Sequence, residues 1–231
     1  MSLTLSAVEV DALALSLRVA TTATLVALPL AVAVAWVLSR TRFPGRGLLD
    51  AIVHLPLVLP PVVVGYFLLI LLGARGTIGH WLDTLFGIRL IFTTAGAAVA
   101  AGVMAFPLMV RAIRLALDAV DPKLEEAART LGAGRLDTFF TVTLPLMLPG
   151  IVSAAIVGFA AGLGEFGAVI TFASNVPGET QTLPLAIYAA LQSPGGDAVA
   201  ARLAFVSFAL ALAGLILAEV MARRVRRLLG R

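Results

Sequence analysis

EEAARTLGAGRLDTFFTVTLP, running from Glu125 to Pro145, is a polar interruption between apolar stretches long enough to cross a bilayer. A loop that leaves the membrane is free to take any soluble sequence, yet this one carries a short helix, a glycine break and a second amphipathic stretch. That order predicts a docking element. Asp121-Pro122 is a good helix start, because Asp accepts free N–H groups at an N-cap and Pro at the next position lacks a donor the helix does not use. Leu124, Ala127 or Ala128, and Leu131 then recur on one face, and Glu125 and Arg129 form an i,i+4 pair. Gly132 and Gly134 end the helix. At about 15 Å it suits a knob entering a cleft and is too short to be stable alone. The competing reading is an ordinary loop helix lying on the membrane surface.

Outward from that loop the chain is membrane sequence. With 231 residues, 60% of them hydrophobic, only 13% charged, and a mean hydropathy of +1.04, it cannot hide its apolar surface in one soluble core. Each crossing needs about 20 apolar residues, since every backbone N–H and C=O must be bonded within the segment. The alternating, turn-punctuated pattern of a barrel is missing. The expected fold is therefore all-α: a single membrane domain, residues 1–231, with spans of about 13–39, 50–74, 90–115, 145–173 and 199–222 and a polar loop at 118–143. Residues 183–192 are too short to cross and read as a helix dipping in from the outer face. FPGRG at Phe43–Gly47 and SPGGD at Ser193–Asp197 mark turns.

Thirteen of the seventeen Lys and Arg fall in one set of alternate loops: around 40–46, from Arg111 to Arg135, and in the tail RRVRRLLGR from Arg223 to Arg231. The opposite loops hold only Arg75 and Arg89. By the positive-inside rule the rich side is cytoplasmic, which puts the N-terminus outside and the C-terminus inside. The net charge of +4 thus reports topology and not nucleic acid. The basic tail is expected to bind anionic lipid. Glu9 and Asp11 replace the positive region of a cleaved signal, so the first span is expected to remain as an anchor. There is no cysteine, which rules out disulfides and thiolate metal sites and leaves the redox compartment open.

Glu126-Ala127-Ala128, three residues, Gly132, nine residues, Val142, one residue and Leu144-Pro145 resembles the EAA loop of ABC importer permeases, which usually have Ile at the position of Val142. The resemblance implies that the loop is a coupling helix seated in a groove of a separate ATPase. It places Glu126, Ala127 and Gly132 at the docking core, with Glu125, Ala128 and Leu131 beside them. HLPLVLPPVVVGYFLL (His54–Leu69), FPLMVRAIRLAL (Phe106–Leu117) and GEFGAVITFASNVPGETQTLP (Gly164–Pro184) look like the molybdate permeases of that family. The last of these also looks like the sulfate and tungstate permeases. What the resemblance implies is a non-catalytic homodimeric permease with two cytoplasmic ATPases that use ATP and Mg, and an extracytoplasmic molybdate-binding protein. No cofactor or metal is expected on the chain itself.

The residues read as pathway or gate are Pro60, Pro61, Pro107, Glu165, Phe166 and Gly167. Pro56, Pro60 and Pro61 free carbonyls and bend the second span, and Gly158 and Gly162 offer a small-residue face, features shared by moving paths and plain bundles. A carboxylate near hydrocarbon costs roughly 2.5 to 3.5 kcal/mol and so usually has a partner. For Glu165 that means bracing a gate between subunits, or lying wet at the outer interface or capping a break at Gly164 and Gly167. It is not a molybdate ligand, since like charges repel. His54 reads as a polar anchor near the cytoplasmic side. Two other classes compete. A gradient-driven transporter or channel needs titratable or oxygen-rich sites at midplane, which the spans lack beyond Glu165. An enzyme needs a nucleophile with a base, yet Ser153, Thr171 and Ser207 have no His in register. The sole lysine, Lys123, follows Pro122 and no phosphate-binding Gly-rich loop is present, so the energy source must be another polypeptide.

Overall fold

Ser6 and Glu9 close a capping box: Ser6 N–H donates to Glu9 Oε2 at 2.6 Å and Glu9 N–H donates to Ser6 Oγ at 3.4 Å. From there α1 (Ala7–Arg40) runs unbroken for 34 residues. At 1.5 Å per residue that is about 50 Å, enough to project from both sides of a hydrocarbon layer about 30 Å thick. The computed structural model describes residues 5–228, with side chains to Val220 except at residues 215 and 217–219. The lipid-binding reading of the basic tail therefore lies outside the described side chains.

The remaining elements are α2 (Arg46–Val58), α3 (Pro61–Leu72), α4 (Thr77–Phe86), α5 (Thr94–Asp118), α6 (Pro122–Thr130), α7 (Arg135–Thr138), a π-helical turn (Phe139–Thr143), α8 (Leu144–Gly164), α9 (Gly167–Ala173), α10 (Leu183–Leu191) and α11 (Asp197–Leu228). No strand occurs among the described residues, in agreement with the all-helical expectation. Four helical rods are long and apolar enough to cross, with α7, the π turn and α8 counted as one, and α2 with α3 makes a fifth if that pair is a single span.

The centre is α1, α5 and α8, and small residues hold it together. Ala20, Ala23, Ala27, Ala31 and Ala35 line one stripe of α1; Ala97, Ala98, Ala101 and Ala105 answer from α5. In lipid, close backbone approach through Gly and Ala supplies the packing that the hydrophobic effect supplies in water. Gly158 lies against Met109, and Gly162 against Ala20 and Ala101, so the expected small-residue face of α8 is buried in this contact.

Three spans differ from the expected ones in shape or bounds. The second is broken: the axes of α2 and α3 meet at 118°. Leu59 is extended ahead of two consecutive prolines, neither of which has an N–H to continue α2. The fourth breaks at Glu165-Phe166, where α8 ends and α9 begins. The third starts at Thr94 and not at residue 90, because Thr93 Oγ1 caps the helix by accepting from Gly96 N–H at 3.1 Å. Helix α4 was not expected at all. Ten residues long, it leaves Ile78, Trp81, Leu85 and Phe86 exposed, as an interfacial helix would. Residues 183–191 do form a short helix, whose Leu183 and Ala186 pack with Ala12 of α1 and Leu203 of α11. Ser16 Oγ accepts the Leu183 N–H at 2.6 Å.

Candidate functional site

The loop between α5 and α8 folds into helix α6, a glycine stop, α7 and the π turn. Asp121 Oδ1 accepts from Lys123 N–H at 2.9 Å and Pro122 occupies the first turn, so the cap expected from the sequence is present. At the other end the Ala133 N–H donates to Ala128 O and the Gly132 N–H to Arg129 O, the paired bonds of a Schellman stop. Gly132 sits at φ +91°, in the left-handed region, with nothing within 4 Å of where a Cβ would point. Its identity follows from the backbone before any partner is considered.

The orientation of α6 is unusual for a surface helix. Glu125 and Ala128 are half-buried toward the body of the protein, whereas Leu124, Glu126, Ala127 and Leu131 are exposed, Leu131 to 88%. The apolar stripe faces away from the fold and the carboxylate of Glu125 faces in. Beyond the glycine stop, Leu136 is also exposed, to 75%. Exposed apolar side chains grouped this way mark a surface built to be covered.

Glu125 is rooted in the helix bundle. Its Oε1 lies 3.1 Å from Arg40 Nη2 and accepts from Thr143 Oγ1 at 3.0 Å. Arg40 also donates from Nη2 to Leu117 O at 3.1 Å. The last turn of α1, the end of α5, helix α6 and the foot of α8 thus meet at one end of the molecule. Arg40 and Thr143 were not singled out by sequence. No local signal marks them, since Glu125 finds its cation 85 positions earlier.

Of the six residues read as pathway or gate, five lie at the two helix breaks. A Cβ on Gly167 would approach Pro61 Cβ to 2.7 Å, so α9 is pressed against the first turn of α3. A Cβ on Gly65 would lie 2.7 Å from Thr171 Cβ and 2.8 Å from Ala168 O, the same seam one turn further on. Pro60 precedes Pro61 at the elbow. Glu165 Oε1 accepts the Ala168 N–H at 2.8 Å, which is the capping role weighed for it. Phe166 meets Tyr188 edge to face at 5.2 Å, bringing α10 into the group. Pro107 is buried within α5.

Other polar groups are spent on structure. His54 Nδ1 lies 2.9 Å from Asp50 O and 3.3 Å from Asp50 Oδ1, and Arg114 Nη1 donates to Asp50 Oδ1 at 2.6 Å, tying α2 to α5. At the end opposite α6, Glu9 is 3% exposed and its Oε1 accepts from Arg202 Nε at 3.1 Å and Nη2 at 2.9 Å. Ser153, Thr171 and Ser207 donate to the carbonyls of Pro149, Gly167 and Leu203. A cavity of about 540 Å³ opens between α1, α2 and α5, lined by Ala23, Ala27, Val53, Ala98 and Phe106 among others, with Thr22 its one polar side chain. Such a lining offers an oxyanion nothing.

Residues 27–227 match the profile of the family described as binding-protein-dependent transport system inner membrane component. The chain is 57% identical over 223 residues to the molybdenum transport system permease protein ModB of Escherichia coli K12, covering 96% of this chain and 97% of the relative. It is 40% identical over 194 residues to the sulfate transport system permease protein CysT of the same organism, covering 83% and 70%. Among solved structures, a bacterial alginate ABC transporter in complex with a pentasaccharide-bound periplasmic protein superposes with a TM-score of 0.77 over 95% of this chain and 80% of that one, at 19% identity. That likeness concerns the fold.

Proposed function

The chain belongs to the family of binding-protein-dependent transport system inner membrane components, and from that membership we propose that it is the membrane-spanning permease of an ATP-driven molybdate importer. One observation carries the substrate: identity to the molybdenum permease is 57% and extends over 96% of the chain, well beyond the loop that all such permeases share. Sulfate ranks second, on a relative with 40% identity and shorter coverage. Tungstate, with the shape and charge of molybdate, is separated from it only by competition.

The protein is a multi-pass inner-membrane subunit. Its N-terminus faces outward and its C-terminus the cytoplasm, a reading supported by the basic residues of the loops flanking α2, α5 and α6. Two copies form the path. Glu126, Ala127 and Gly132, with Ala128 and Leu131 beside them, seat α6 in a cytoplasmic ATPase, and Glu125 roots that helix in the bundle. The outward-facing stripe of Leu124, Ala127 and Leu131 supports this reading. ATP and Mg are bound by the two ATPases and not by this chain, and an extracytoplasmic protein delivers molybdate. Closure of the ATPases draws the two α6 helices together and rocks the bundles, opening the path outward and then inward. Pro60, Pro61, Glu165, Phe166 and Gly167 form the flexing gate, with Pro107 of α5 counted among the pathway residues.

The test is to purify the chain with its associated proteins, reconstitute the complex in liposomes, and measure ATP hydrolysis and uptake with loaded binding protein. Molybdate-stimulated hydrolysis and ATP-dependent uptake, with tungstate competing and sulfate not, are expected. Uptake driven by an ion gradient without ATP would assign the chain to the secondary transporters.

A further inference from the structure

Helix α6 has no buried residue of its own, and its packing is against the π turn and α7. Apolar contact therefore does not hold it to the bundle. What does is a three-way junction at Glu125 Oε1: Arg40 Nη2 at 3.1 Å and Thr143 Oγ1 at 3.0 Å, with the same Arg40 nitrogen donating to Leu117 O at 3.1 Å. The two charged side chains are largely withdrawn from solvent, 19% and 13% exposed. Beside them Trp36 of α1 meets Phe139 of the π turn edge to face, with ring centres 6.5 Å apart. Each member of the central trio α1, α5 and α8 thus ends at this point.

We propose that Arg40, through Glu125, is the joint by which displacement of α6 is passed to α1, α5 and α8 during import. The inference rests on the import reading above. Arg40 is a positioning residue: its polar contacts among the described residues are Glu125 and Leu117 O, and it acts through them. A charge-assisted hydrogen bond is short and directional, so it transmits a push or pull that loose apolar packing would absorb. The planar guanidinium is suited to the task because it reaches two acceptors on different helices at once. Its Nε is buried and has no partner among the described residues, a donor that could take up a new acceptor as the helices shift.

The test uses the whole complex, with ATPase and binding protein, reconstituted in liposomes, and compares Arg40→Gln, Arg40→Lys and Thr143→Val. The Arg40→Gln complex is expected to retain its ATPase subunit while molybdate imported per ATP falls, by about tenfold where the ratio tracks the α6–bundle equilibrium that loses a hydrogen bond to a charged group. Arg40→Lys should recover part of that ratio, and Thr143→Val should show a smaller loss. A wild-type ratio in Arg40→Gln overturns the proposal. Loss of the ATPase subunit from that variant also overturns it, since Arg40 would then build the docking surface. Should Arg40→Gln fail to accumulate in the membrane, Thr143→Val decides, and an unchanged ratio there refutes the joint. A wild-type complex without ATP-dependent uptake would instead refute the import reading itself.

Discussion

Gly65 and Gly47 separate what a glycine does by contact from what it does by freedom. A β-carbon at Gly65 would press on Thr171 Cβ and Ala168 O at under 3 Å, whereas Gly47 has open space within 4 Å. Gly65→Ala should therefore lower the thermal unfolding midpoint in detergent by overpacking the seam between α3 and α9, at a cost of about 1–3 kcal/mol. In the same assay Gly47→Ala, near the start of α2, should be neutral or raise stability by about 0.5–1 kcal/mol. Equal effects would mean that the seam is looser than drawn. Gly132 raises a different problem. A bulky residue there strains a left-handed turn by roughly 1–2 kcal/mol before it reaches any neighbour. Leu131 is the cleaner probe of docking, being 88% exposed and free of backbone constraint. Leu131→Asp should leave the unfolding midpoint unchanged and reduce the ATPase subunit that copurifies with the chain; full recovery of that subunit would count against α6 as the contact.

Helices α1 and α11 are clasped at the end opposite α6 by Glu9 and Arg202. Glu9 is 3% exposed and also closes its own capping box, so removing the arginine strands a buried carboxylate with one backbone donor. Breaking such a pair costs about 3–5 kcal/mol, toward the lower figure here because Arg202 is 21% exposed. Arg202→Met should thus destabilise the protein in thermal melts, and adding Glu9→Met should restore part of the loss, since no unpaired charge is then left. Absence of any recovery would show that the capping box, and not the ion pair, carries the stability. Elements differed in how openly the chain declared them. Long uncharged runs such as Leu90–Val110 announce a span, and Asp121-Pro122 with Gly132 announce α6, because caps and stops are local chemistry. The prolines foretell a bend at Leu59 but not its 118°, since two prolines forbid a helix without dictating the new direction. Helix α4 escaped because ten residues with a polar face carry too little apolar length to stand out. The partner of Glu125 escaped because pairing across 85 positions is decided by the packing of α1 on α5.

At the scale of the whole molecule, the absence of cysteine makes the orientation directly measurable. Single cysteines at Leu136, near α6, and at His80, among the polar residues of α4, sit on exposed positions. An impermeant maleimide added to intact cells or right-side-out vesicles should label His80→Cys and spare Leu136→Cys until the membrane is opened. The reverse pattern would invert the assigned topology. The broken second span has one more consequence. Pro60 and Pro61 stand where the carbonyls of Pro56 and Leu57 would look for their helical donors, so two oxygens lose their helical partners about 15 Å along from the start of α2. Water can bond such oxygens, and on the import reading a wetted notch would ease the hydration penalty of a doubly negative passenger. The same oxygens turn the negative ends of their dipoles toward it, so on the import reading an anion gains no reason to lodge at the notch.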